Sequence, residues 1–215
     1  MIDDSRLKEE MLSGEEVYNG NIIRVERWQV RLPDGKEAVR EIVRHRGAVA
    51  IVPLDDDGCV TLVRQDRVAV GRLTWEIPAG KLEKTDKDRK FAAMRELEEE
   101  TGLRAEHWQE LTCIDTTAGF CDEKITIYLA TGLSQHEMHT DDDEFLAVQR
   151  FPLENAVQAV MNGEQRDSKT VIGLLMASRL TASKTAAPFV DASVIQRERA
   201  GFYSRQAEKN VQVQR

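Results

Sequence analysis

Four glutamates lie close together in the segment RELEEETGL, residues 95–103. Gly102 is typical of the left-handed residue that closes a helix, so this segment predicts the last turns of one. Glu96, Glu99 and Glu100 are spaced i, i+3 and i+4, and at about 100° per residue they share one helix face. Like charges at this spacing and the C-terminal end of the helix dipole both disfavour the arrangement, by about 0.2–1 kcal/mol per pair or group.

A local fault of this kind often marks a functional site. A hard divalent cation would compensate the repulsion, because Mg²⁺ prefers oxygen ligands and is commonly held by carboxylates together with substrate phosphates. The alternative is a solvated helix face, on which runs of glutamate are common. The glutamates by themselves leave both interpretations open.

The flanking sequence favours the metal site. WEIPAGKLE, residues 75–83, predicts a strand that runs into a glycine turn before the helix. Together with the helix it resembles the Nudix box, G-x5-E-x7-R-E-U-x-E-E-x-G-U with U an apolar residue. The matching positions are Gly80, Arg95, Glu96, Leu97, Glu99, Glu100, Gly102 and Leu103. The sequence departs from the pattern twice: the Gly-to-Arg interval is one residue longer, and Asp86 or Lys87 stands where the first Glu is expected.

The resemblance to the Nudix family implies roles for the residues of the box. Glu96 and Glu100 would be the principal ligands of Mg²⁺, or alternatively Mn²⁺, with Glu99 assisting. The backbone carbonyl of Ala79 would complete the coordination, and Arg95 would orient a glutamate. Reactions of this family cleave a diphosphate linked to another group, by attack of water at phosphorus; bound cations neutralise the phosphoryl oxygens and acidify the water.

The resemblance extends over about residues 21–180 and narrows to the ADP-ribose pyrophosphatases. REIVRHRGAVAIVP is similar to that subfamily's last N-terminal strand and the start of its core domain. RQDR and TTAGFCDEK, before and after the box, are similar to its substrate-binding segments, with Ala118 where the subfamily has proline. The leading hypothesis is Mg²⁺-dependent hydrolysis of ADP-ribose to AMP and ribose 5-phosphate. The alternatives are another nucleoside-diphosphate sugar or dinucleotide as substrate, and a Nudix-like ligand sensor without activity.

The subfamily implies substrate contacts at Arg40, Arg67, Glu123 and Trp28. Both arginines would bind phosphate or the terminal ribose, since a guanidinium binds phosphate oxygens in pairs. Trp28 would stack on adenine, often from the partner subunit. The alternatives are a surface ion pair of Arg40 with Glu37 or Glu41, a solvated loop charge for Arg67, and packing under a small sheet for Trp28.

The acidic segment HTDDDEFLAV, residues 139–148, is similar to the subfamily's acidic loop followed by a strand, which implies that the general base lies there. Glu144, next to a predicted strand, is the first candidate for this catalytic carboxylate, and Asp142 is the second. Such a base must come within about 3 Å of the attacking water. An acid run in a loop can also be merely solvated.

Periodicity predicts the elements that would position these residues. Alternation in residues 21–45, around an LPDG turn, predicts a small antiparallel sheet. The apolar run 47–54 predicts a strand buried on both faces, with CVTLVRQ as its hairpin partner. On the acidic helix we expect Phe91, Ala93, Met94 and Leu97 to pack on the sheet and Glu98 to face solvent.

Two further helices are predicted, LENAVQAVMNG and SKTVIGLLMASRL, the second with Ser168 as its N-cap. The pattern predicts an α/β (α+β) domain; with the resemblance, it implies the Nudix fold, a mixed β-sheet between helices. We expect an N-terminal β module at residues 1–45, the catalytic domain at 46–182 and a polar tail at 183–215. The N-terminal module is too small to be stable alone, which with the subfamily implies a homodimer.

Composition and charge limit the kinds of partner and the compartment that we expect for the protein. The formal charge of −8 over 215 residues argues against general nucleic-acid binding, which needs a basic surface. The N-terminal MIDDSRLKEEM does not resemble a signal peptide, and no apolar run approaches the roughly 20 residues that span a bilayer. Three cysteines without disulfide parity or metal-ligand spacing fit a cytoplasmic protein with reduced thiols.

Overall fold

The structure is a computed structural model and describes residues 4–138 and 145–182. Within these ranges it contains ten strands, three α-helices and two short 3-10 turns. The strands are β1 (Glu10–Asn19), β2 (Ile23–Arg31), β3 (Glu37–His45), β4 (Ala48–Pro53), β5 (Cys59–Arg67), β6 (Arg72–Glu76), β7 (Ala79–Lys81), β8 (Leu103–Asp115), β9 (Lys124–Gln135) and β10 (Ala147–Pro152). The helices are α1 (Arg89–Thr101), α2 (Leu153–Met161) and α3 (Ser168–Ala182).

The N-terminal segment forms a three-stranded antiparallel sheet in the order β1-β2-β3. The predicted turn joins β2 to β3, where Gly35 has φ 86° and its N–H donates to the carbonyl of Leu32 at 2.9 Å. Strand β1 was not predicted. Every one of its residues is exposed in the single chain, so its sequence carries no buried alternation.

The central sheet is mixed and has the order β7-β4-β9-β8, with β4 parallel to β9 and the other pairs antiparallel. All residues of β4 are buried, which confirms the prediction of a strand covered on both faces. The predicted hairpin of β4 with CVTLVRQ is wrong. Strand β5 belongs to a separate antiparallel sheet, β10-β5-β6, and is joined to the segment after β4 by the isolated bridge between Leu54 and Val60.

Two apolar clusters cover the faces of the central sheet. On one face, Ala93 and Leu97 of α1 pack with Ile51. On the other face, Val52 packs with the second sheet and with α2 and α3. Helix α3 comes close to this face, because a Cβ on Gly173 would lie 2.9 Å from Val52. The predicted fold class, a mixed sheet between helices, is confirmed.

The buried side of α1 differs from the prediction. Phe91 and Met94 are exposed, whereas Glu96 and Glu100 are buried on the same stripe as the apolar contacts. At about 100° per residue, Phe91 lies on the side of the helix away from that stripe. Glu98 is only partly exposed and forms an ion pair with Arg104 at 2.6 Å. The helix therefore turns two of its carboxylates inward.

The N-terminus of α3 is capped by Asp167 and not by Ser168. The Oδ2 atom of Asp167 accepts hydrogen bonds from the backbone N–H and the hydroxyl of Thr170, at 3.0 and 2.6 Å. Ser168 is the first residue of the helix. The same Thr170 hydroxyl accepts from the N–H of Ile77 at 2.9 Å, which joins the helix start to the segment after β6.

Candidate active site

One cavity of about 820 Å³ collects most of the predicted site residues. Side chains from β5, α1 and the loop after β8 line it together with the backbone of β7. Of the predicted residues, those that line it are Arg67, Ala79, Arg95, Glu96, Glu99, Glu100 and Glu123. Because these residues are spread over more than fifty positions of the sequence, their convergence is a result of the fold.

The acidic wall of the cavity rests on a close approach between β7 and α1. Glu96 is 8% and Glu100 is 2% exposed. A Cβ built on Gly80 would lie 2.0 Å from the Glu96 carboxylate, so only glycine leaves room for this side chain. The glycine of the motif is thus required to let a helical carboxylate reach the strand.

Arg95 connects the carboxylates of this wall. Its guanidinium donates to Glu99 at 2.7 Å, lies 2.9 Å from Glu96, and binds Asp86 through two nitrogens at 3.3 Å each. Burial alone would lower the pKa of Arg95, but Asp86 and the two glutamates raise it. Burial likewise favours a higher pKa for Asp86, and the hydrogen bonds from Arg95 and from the N–H of Glu83 outweigh it and lower the pKa.

Asp86 therefore takes part in the site although the sequence there departs from the motif. Its side chain is 4% exposed, and its contacts hold Arg95 from the loop before α1. The extra residue between Gly80 and Arg95 is accommodated in the loop before α1, which begins with Asp88 as N-cap. Lys87, the other candidate for that position, lies over the Phe91 ring.

The side chains of this wall are carboxylates, the oxygen donors that a hard divalent cation takes. The N–H of Ala79 donates to Glu100 at 3.1 Å, so the backbone predicted to supply a ligand adjoins a predicted carboxylate ligand. Within residues 4–138 and 145–182, no three His, Cys, Asp or Glu side chains are grouped closely enough to hold a metal ion. Arg95 engages Glu96 and Glu99, so the carboxylates are distributed among protein donors.

Arg67 lies in the same cavity and is bound to a buried carboxylate. Its Nε and Nη2 atoms donate to the two oxygens of Glu76 at 2.9 and 2.8 Å. Lys169 also donates to Glu76, and the Thr74 hydroxyl does so at 2.6 Å. Burial favours a higher pKa for Glu76, but the bonds from Arg67 and the charge of Lys169 prevail and lower the pKa to about 2.

Glu123 is positioned by the end of β3. Its Oε1 atom lies 3.1 Å from Nδ1 of His45, which also lines the cavity. The loop that carries Glu123 is fixed to the same strand, because Asp122 accepts from the N–H of His45 at 2.9 Å and from Arg44 at the same distance. The N-terminal sheet thus supports one wall of the cavity.

The structure does not bring Arg40 and Trp28 to this cavity within one chain. Arg40 pairs with Glu9 at 2.6 Å, and not with Glu37 or Glu41 as the surface alternative supposed. Trp28 is partly buried, donates to Glu26 at 2.9 Å and lies 4.9 Å below the guanidinium of Arg44. Their assignment to the substrate stays a prediction.

The two candidate bases, Asp142 and Glu144, lie outside the described residues, as does the tail at 183–215. Sequence reasoning missed Glu76 and Lys169, which line the cavity with Arg67. The signal for Glu76 was a charged residue inside the apolar segment LTWEIPAG. Lys169 is 93 positions away from Glu76, and no local pattern links them.

No described helix is long and apolar enough to cross a membrane.

The fold and the acidic wall define a member of the Nudix family, and the chain belongs to it: the NUDIX domain model matches residues 44–172. The chain is similar to an ADP-ribose pyrophosphatase of Mycobacterium tuberculosis (strain ATCC 25618 / H37Rv), with 38% identity over 93% of this chain and 97% of the relative. An ADP-ribose pyrophosphatase of Bacillus subtilis (strain 168) is 39% identical over 78% of this chain and 91% of its own length. A solved structure described as an ADP compounds hydrolase has the same fold, with TM-score 0.74 and 23% identity over 84% of this chain and 97% of that chain.

Proposed function

We propose that the protein hydrolyses the diphosphate bond of ADP-ribose in a Mg²⁺-dependent reaction, giving AMP and ribose 5-phosphate. The observation that carries the proposal is the single cavity in which the glutamates of α1 and Arg67 come together. The similarity over nearly the full length to a relative named for this activity supports the choice of substrate.

The residues present fit a divalent cation, and Nudix hydrolases generally use one. Glu96, Glu99 and Glu100 would hold it, with the carbonyl of Ala79. When bound, the ion neutralises charge on the phosphoryl oxygens and lowers the pKa of water. The fit rests on the buried carboxylates of α1, of which Glu96 lies against Gly80 of β7 in space that a Cβ would fill. Mg²⁺ suits such an all-oxygen set, and Mn²⁺ is the alternative.

The chain's own residues bind the phosphates, orient the carboxylates and accept a proton from water. Arg67 holds phosphate oxygens through the nitrogens of its planar guanidinium. Arg95 fixes the carboxylates of Glu96 and Glu99. Water adds to one phosphorus, the bond from that phosphorus to the bridging oxygen breaks, and a carboxylate accepts the proton of the water. Glu144 is the first candidate for that base and Asp142 the second.

The remaining substrate contacts are assigned to Glu123, Arg40 and Trp28. Glu123 lines the cavity, whereas the other two lie on the N-terminal sheet away from it. We assign a homodimer in which Trp28 stacks on adenine in the site of the partner subunit. The net charge of −8 argues against nucleic acid as a partner and is compatible with a small anionic substrate, because local arginines or a bound metal can reverse the field in one cleft. We assign no membrane partner. We assign the protein to the cytoplasm.

A substrate panel tests the proposal. ADP-ribose, GDP-mannose, NADH and 8-oxo-dGTP are compared at equal concentration, with Mg²⁺ and with chelator, and products are separated by chromatography. We expect ADP-ribose to give the highest kcat/KM, AMP and ribose 5-phosphate as products, and no turnover in chelator. A higher kcat/KM for another member of the panel contradicts the assigned substrate. Turnover that persists in chelator contradicts the metal dependence.

A further inference from the structure

The carboxylate of Glu76, which lines the cavity, is engaged by three other side chains. It lies at the end of β6, is 2% exposed, and accepts hydrogen bonds from Arg67, Thr74 and Lys169. Both of its oxygens are engaged, and Arg67 binds it through two parallel bonds. A bidentate pair of this kind fixes the plane of the guanidinium as well as its position.

Lys169 is an unusual residue for this place. It is 7% exposed, and burial of an ammonium is costly unless partners surround it. Its partners are Glu76 and Asp167, the latter at 3.1 Å, and Asp167 is at the same time the cap of α3. Replacing a buried ion pair by packed apolar residues is often neutral or stabilising. The cluster is therefore poorly explained by stability alone.

The start of α3 is rigidly attached to the strand that carries Glu76. Ile77, next in sequence, donates to the Thr170 hydroxyl, and Thr170 is next in sequence to Lys169. Lys169 thus meets Glu76 from a fixed helix turn, while Arg67 meets it from the neighbouring strand β5. The bonds of Arg67 to the described residues use Nε and Nη2, so Nη1 is available to a ligand in the cavity.

We propose that Lys169 is a positioning residue for the substrate diphosphate, which acts by holding Glu76 so that Arg67 presents its outer guanidinium edge to the phosphate. The inference rests on the proposed function, in which Arg67 binds phosphate. If Lys169 is removed, Glu76 loses a charged partner on one oxygen and can rotate. The guanidinium of Arg67 then loses its fixed plane, and phosphate binding weakens.

A double-mutant cycle of Lys169→Met and Arg67→Lys tests this coupling. We expect each single variant to raise the KM for ADP-ribose by about 10-fold with kcat within about 3-fold, since a uniform binding contact is lost. The double variant should raise KM by no more than about the larger of the two single increases, because both changes remove the same contact. Lys169→Arg keeps the cation and should restore KM to within about 3-fold. Independent effects that multiply in the double variant overturn the proposal, as does a fall in kcat without a change in KM.

The controls separate this inference from folding and from the proposed function. Lys90→Met removes an exposed lysine on α1 and should leave KM and kcat unchanged. Circular dichroism melts establish that each variant folds. If Lys169→Met does not fold, Lys169→Gln replaces it in the cycle; if neither folds, Lys169 is structural and the proposal is wrong. Failure of the wild-type protein to hydrolyse ADP-ribose would overturn the proposed function itself, whereas an active wild type with a multiplicative cycle overturns only the role of Lys169.

Discussion

Gly80 and Glu96 show how one atom can decide whether the acidic wall forms. The carboxylate of Glu96 occupies the space in which any other residue at position 80 would place its Cβ. The obstructing atoms are the end of a side chain, so a methyl group at this position would displace the carboxylate and spare the fold. The glycine is therefore a requirement of the site more than of the sheet.

We predict that Gly80→Ala keeps the fold and lowers kcat/KM for ADP-ribose by about 10-fold or more, because a displaced ligand weakens metal binding. The Mg²⁺ concentration that gives half-maximal activity should rise in the same variant. Activity is measured across a Mg²⁺ titration, with the melting temperature as the check on folding. An unchanged Mg²⁺ requirement would show that Glu96 holds no ion.

The charge of Glu76 gives a prediction about pH. Its folded pKa of about 2 lies below the usual 4.5 of a glutamate, so its contribution to stability is present above the unfolded pKa and is lost as the pH falls towards 2. Between pH 6 and pH 3 this amounts to about 2 kcal/mol. Urea unfolding at both pH values should show a smaller loss in Glu76→Gln than in the wild-type protein. Equal losses in the two proteins would mean that the carboxylate is not stabilised by Arg67 and Lys169.

At the scale of the element, the start of α3 combines a cap with a wall of the cavity. Asp167 satisfies the N–H of Thr170, and Lys169 reaches Glu76 from the same turn. We predict that Asp167→Ala lowers the free energy of unfolding by about 1–2 kcal/mol. Ser168→Ala is the matched control and should change it by less than about 0.5 kcal/mol. Chemical denaturation measures both, and a larger effect at Ser168 would restore the cap predicted from sequence.

Local patterns predicted the elements better than they predicted the pairing between them. The apolar run of β4 and Gly102 at the end of α1 are local signals, and both were interpreted correctly in the sequence. Strand β5 pairs with β10, more than eighty residues later, and a turn sequence next to β4 carries no information about that choice. The wrong hairpin follows from this limit.

The residues of the site, like the elements, could be predicted where the signal is local and not where it depends on packing. The carboxylates of α1 and Gly80 could be recognised because they lie within one short segment. The Glu76 and Lys169 contact depends on how α3 meets β6, so it follows from packing over 93 positions. Phe91 and Met94 were misplaced because the buried stripe of α1 includes charged residues, which a rule based on hydrophobicity assigns to the surface.

At the scale of the whole molecule, the N-terminal sheet leaves apolar side chains uncovered. Met11, Val17 and Tyr18 of β1 are 51%, 45% and 57% exposed in the single chain. A strand with apolar residues exposed in this way is a natural surface for a second copy. We predict a homodimer by size exclusion with light scattering, and a shift towards monomer in Met11→Glu/Val17→Glu.

The dimer bears on catalysis through Trp28. Within one chain this ring is held by Arg44 and Glu26 on the N-terminal sheet. If the partner subunit supplies Trp28 to the site, the monomeric variant should show a raised KM for ADP-ribose with its metal requirement unchanged. A wild-type protein that is monomeric and fully active would remove the role assigned to Trp28 across subunits.

The central claim is that the inward-facing glutamates of α1 hold divalent cations against a diphosphate. Isothermal titration calorimetry with Mg²⁺ and with Mn²⁺, in the absence and presence of AMP, tests it most directly on the wild-type protein and on Glu100→Gln. We predict that the wild type binds the metal and that the nucleotide strengthens this binding. The Glu100→Gln variant should fold, should lose metal binding, and should hydrolyse ADP-ribose at least about 100-fold more slowly. Absence of uptake by the wild type under all four conditions, or equal uptake by Glu100→Gln, would contradict the claim.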